Sequence, residues 1–89
     1  MVKIEGTNYS VDTMSTVDRT EATLKNNHAI VVRRKGNLID IVDGKNRIQL
    51  FYPEGKPPAE CRLLTYSSES EAVASLDNAL IRPVSEDTI

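Results

Sequence analysis

The chain has 89 residues, of which 39% are hydrophobic and 27% charged. That is ordinary globular usage, so it excludes wholesale disorder and fits one domain with one modest core. The net charge of −2 excludes the uniformly basic surface of a non-specific nucleic-acid or membrane-surface binder. The single cysteine, Cys61, excludes an internal disulfide and suits a reducing compartment.

The N-terminus "MVKIEGTNYS" has no apolar core of the kind a signal peptide carries, and no run approaches the roughly 18 apolar residues of a membrane helix. The expectation is a cytoplasmic protein with no membrane attachment. Its compact domain spans 1–82, and 83–89 form a flexible tail.

In chain order, "VKIEG" reads as a short strand followed by a turn. "STVDRTEATLKNN" reads as a first helix: Ser15 or Thr16 caps it, Asp18 sits in its first turn, and Asn26-Asn27 ends it. Three strands follow, Ala29 to Arg34, Leu38 to Asp43 and Arg47 to Tyr52. Gly36-Asn37 and Asp43-Gly44 punctuate them, and these residue types tolerate the positive φ of tight hairpins. Alternation places Ile30, Val32, Ile39, Ile41, Ile48, Leu50 and Tyr52 on one inner surface. Arg33, Asp40, Asp43, Arg47 and Gln49 are left as a solvated outer face.

"PEGKPPAE" is a proline-bound loop and "CRLLTYS" a fourth meander strand. In "SSESEAVASLDNAL" a serine cap precedes Glu69 and Glu71, which favour the positive N-terminal end of a helix. Ala72, Val73, Leu76, Ala79 and Leu80 make its apolar stripe, and Arg82-Pro83 closes it. The predicted fold is α+β: a twisted antiparallel sheet of four or five strands around a central meander. The C-terminal amphipathic helix and the short first helix both pack on one face.

Chemistry-bearing residues are sparse. His28 is the only histidine, and no spacing pairs it with a nucleophile and an orienting acid. Cys61 enters an apolar strand, where a free thiol packs as a small hydrophobe. One His and one Cys fall short of the ligands a zinc site needs, and no calcium-loop spacing of carboxylates occurs. No catalytic residue, metal or cofactor is expected.

The sharpest feature is charge. From Arg33 to Lys56 six basic residues (Arg33, Arg34, Lys35, Lys45, Arg47, Lys56) face three acidic ones (Asp40, Asp43, Glu54). From Leu63 onward one basic residue (Arg82) faces five acidic ones (Glu69, Glu71, Asp77, Glu86, Asp87). The reading is a small non-enzymatic interaction protein, an inhibitor, adaptor or accessory subunit. It would bind a larger protein through Arg33, Arg34, Lys35, Lys45, Arg47 and Phe51, since charged poles orient and select a partner. The alternative is a nucleic-acid or nucleotide-binding module using the same basic hairpins, with Phe51 as a stacking surface. Whether the chain pairs with its own copy is left open.

Overall fold

The computed structural model describes residues 2–3, 10–11, 16–26, 31–55 and 60–88. Two short strands, β1 (Val2–Lys3) and β2 (Ser10–Val11), pair antiparallel apart from the main sheet. Helix α1 (Val17–Lys25) starts where Thr16 leaves helical geometry and its Oγ1 accepts the Arg19 N–H, satisfying one of the free donors of the first turn. Asn26 ends it.

The main sheet has five strands in the order β3-β4-β5-β6-β7, all neighbours antiparallel. They are β3 (Val31–Lys35), β4 (Leu38–Asp43), β5 (Asn46–Phe51), β6 (Glu60–Thr65) and β7 (Ser85–Thr88). Gly36 and Gly44 take φ of 58° and 60° in the two tight turns, a region that costs glycine nothing.

The register sorts the side chains. Val32, Ile41, Ile48 and Leu63 form one cross-strand row, and Ile39, Leu50 and Cys61 part of the next. With Tyr52 they bury against Val17 and Leu24 of α1, and the Tyr52 hydroxyl donates to Thr20 Oγ1 at 2.7 Å inside this layer. Between β6 and β7 the chain forms α2 (Glu69–Ala74), capped by Ser68, whose side chain accepts the Glu71 N–H. The second helix lies on the other face. Ala72 is buried with Val42, Leu64 and Tyr66, and Val73, Leu76 and Ile81 pack around them.

Three expectations are corrected here. The helices cover opposite faces of the sheet, not one, because β4 ("LIDIVD") offers apolar side chains in both directions. The second helix is not C-terminal and stops at Ala74. Beyond it the amides reach back three residues (Leu76 to Val73 O, Asp77 to Ala74 O) in tight turns, and Asn78 Oδ1 takes the Leu80 N–H. Leu80, read as part of the buried stripe, is therefore 84% exposed. The segment read as a loose tail supplies β7, anchored by Val84 N–H to Thr65 O at 2.7 Å and by the Arg62–Glu86 ion pair. "SEDT" lacks an apolar face because an edge strand with every residue exposed needs none.

Candidate interaction surface

The cross-strand rows decide what each predicted side chain can do. Arg33, Lys35, Asp40, Arg47, Gln49, Phe51 and Arg62 all project toward the α2 face, whereas Arg34 projects toward α1. Lys45 lies in the turn at the far end of β4 from Lys35. The six proposed contact residues therefore do not form one patch.

Arg47 is not solvated. Its Nε and Nη2 donate to Asp40 Oδ1 and Oδ2 at 2.9 and 3.1 Å, a bidentate pair. Its Nη1 reaches Ser75 O at 3.2 Å and Ser75 Oγ at 3.3 Å. Ser75 is 3% exposed and Asp40 8%, and Ser75 Oγ itself donates to Ala72 O at 2.6 Å. The guanidinium thus caps the C-terminal end of α2, where a cation is electrostatically favoured. Burial works against its charge. The Asp40 carboxylate, helped by the Tyr66 hydroxyl, more than offsets that and holds Arg47 above its ordinary pKa. The reading of Asp40 and Arg47 as a solvated face is corrected: they are an internal joint between sheet and helix.

The two neighbouring arginines also serve the fold. Arg33 pairs with Asp77 at 3.2 Å, tying β3 to the turn after α2. Arg34 reaches Asp18 at 2.6 Å and Glu21 at 3.6 Å, tying β3 to α1. The hydrogen bond with Asp18 is the main reason the Arg34 pKa is raised. Both pairs are exposed to solvent that screens them, so they add little to stability.

Among the described residues one row stays open beyond α2: Lys35, Leu38, Phe51 and Glu60, aligned across β3 to β6. Phe51 is 47% exposed at its centre, with Leu38 half-buried beside it and Gln49 and Arg62 in the next row. Lys35 makes no ion pair with the described residues. The sequence reading picked out Phe51 and Lys35 but missed Leu38, whose place on this face follows only from the register across Gly36-Asn37.

Cys61 is buried opposite Leu50 on the α1 face, and burial pushes its thiol above the ordinary range. Arg62 turns to the other face and pairs with Glu86, so nothing among the described residues favours a thiolate. The sign follows from linkage. The neutral thiol is the form the fold prefers, so its contribution is intact below the ordinary thiol pKa and is lost as pH rises from there through the raised native value. In the native state Cys61 is expected to resist alkylation at mildly alkaline pH and to react promptly in denaturant. Equal rates in both conditions would show the site to be open.

His28 lies outside the described residues. Among the described residues no group of three or more His, Cys, Asp and Glu comes together as a metal site, and no helix is long and apolar enough to cross a membrane. No protein-family model, curated protein or solved structure matches the chain.

Proposed function

We propose that this chain is a non-enzymatic protein-binding domain, an inhibitor, adaptor or accessory subunit acting in the cytoplasm. It engages a larger protein through the sheet row that α2 leaves open. The observation that supports this is Phe51, an aromatic side chain half exposed on a rigid strand, beside Leu38 and between Lys35 and Glu60. Aromatic anchors surrounded by polar groups are where binding energy concentrates in interfaces. Opposite charges at the two ends of the row set orientation.

The test uses a photo-crosslinking amino acid at position 51, with the same group at Ala22 on exposed α1 as control. A partner captured at 51 but not at 22 is then purified and titrated. Phe51→Ala is expected to weaken that complex by about tenfold or more, the loss of roughly 1.4 kcal/mol. Its unfolding free energy should fall by only about 1 kcal/mol, in proportion to the half of the ring removed from water. Equal capture at both positions would sink the reading.

A second reading keeps Phe51 as a stacking surface for single-stranded nucleic acid, with Lys35 and Arg62 near the backbone. Binding of an oligonucleotide that depends on Phe51 and weakens steeply with salt would put this reading first.

A further inference from the structure

The sheet ends in two edges of opposite character. The outer edge of β3 meets no strand among the described residues, and four of its five residues are exposed. The outer edge of β7 likewise meets no strand among the described residues, and all four of its residues are exposed. Alternate residues of an edge strand turn their N–H and C=O groups outward, a template for another strand. β3 carries Arg33, Arg34 and Lys35 with no acid, and β7 carries Glu86 and Asp87 with no base.

The charges also match face by face. Arg33 and Lys35 project toward the α2 face, as does Glu86, which stands opposite Leu64. Arg34 and Asp87 project toward the α1 face, Asp87 opposite Leu63. In an all-antiparallel sheet the first, third and fifth strands run the same way. A second copy in the same orientation can therefore lay its β7 beside β3 as a parallel neighbour and continue the sheet with both helical layers in register.

Joining like edges would instead bring arginines against arginines or carboxylates against carboxylates, which disfavours a closed two-fold pair. Of the existing partners of these side chains, Asp77 of Arg33 and Asp18 of Arg34 are exposed, and Glu21 of Arg34 and Arg62 of Glu86 are half-buried at the surface. Pairs of that kind rearrange at little cost.

We propose that the chain associates with itself head to tail, the basic edge β3 of one copy receiving the acidic edge β7 of the next. The contact is heterologous, so it builds open chains of copies and not a closed dimer.

The test is sedimentation of the full chain across protein concentration. At an ionic strength of about 0.01 M, where charges act over ~30 Å, the weight-average mass should climb with concentration beyond two copies. At about 1 M, where the reach is ~3 Å, it should return to that of one chain. Two charge-reversed variants sharpen the result: Glu86→Lys with Asp87→Lys, and Arg33→Glu with Lys35→Glu. Each alone should stay at one-chain mass, and an equimolar mixture should regain association, since each then offers the edge the other lacks. Circular dichroism matching wild type checks that both variants fold. The wild-type salt series stands independently of them. A wild type that keeps one-chain mass at every concentration and low salt, or association that survives either variant alone, overturns the proposal.

Discussion

Arg47→Ala is expected to cost about 3 kcal/mol of folding stability, the lower end of what breaking a buried ion pair costs. The loss has two parts. Asp40 is left with a carboxylate that is 8% exposed and has no cation, and Ser75 O at the end of α2 loses its donor. Asp40→Ala should cost a similar amount, because it strands the guanidinium in turn. The double variant should cost clearly less than the sum, since removing both charges leaves none unpaired. Denaturant melts of the four proteins measure this, and strict additivity would mean that Asp40 and Arg47 do not act as a pair in solution. Arg47→Lys should recover only part of the loss, because an ammonium cannot span both Asp40 oxygens and Ser75 together.

Leu24→Ala is expected to cost about 2 to 5 kcal/mol, the range for truncating a buried leucine. Leu24 is fully buried between α1 and the sheet. Leu76 is only half-buried against the opposite layer, so Leu76→Ala should cost about 1 kcal/mol, in proportion to the smaller area removed from water. Equal costs at the two positions would mean that the two faces of the sheet are equally well covered. A cost below about 1 kcal/mol at Leu24 would mean that α1 is not docked.

The meander was legible because its signals are local. Gly36-Asn37 and Asp43-Gly44 name the turns, and the alternation of Ile39, Ile41, Ile48 and Leu50 names the α1 face. The Thr16 cap was legible for the same reason. The second face was not. In "LIDIVD" Asp40 breaks an otherwise continuous apolar run, and single-face alternation takes it for a solvated residue. A strand apolar in both directions is covered on both sides, and the acid in its middle then requires a buried cation. Arg47 supplies it from seven residues away, through a register that only the folded sheet defines. The partner that caps the end of helix α2 is similarly non-local, since the Ser75 carbonyl and hydroxyl accept from that same Arg47. Strand β7 left no apolar signature because it buries no side chain. Of the interaction surface, the residue types were visible but their grouping was not: arginines adjacent in sequence point to opposite faces, one held by α1 and the other by the turn after α2.

The connection lengths carry a consequence for how the molecule assembles. β3, β4 and β5 are joined by two-residue turns, so their pairing closes small loops and forfeits little chain entropy. β7 meets β6 only after the excursion from Tyr66 to Val84, and it rests on backbone bonds and one exposed ion pair. On these grounds the meander is expected to form its contacts first, and β7 to dock last and leave first. Amide hydrogens of β4 and β5 should therefore exchange only by global unfolding, while those of β7 exchange through local detachment. Each detachment also uncovers the outer ladder of β6 and bares Leu63 and Leu64 at a sheet edge, so the stability of one short acidic strand sets how often the chain exposes its own core.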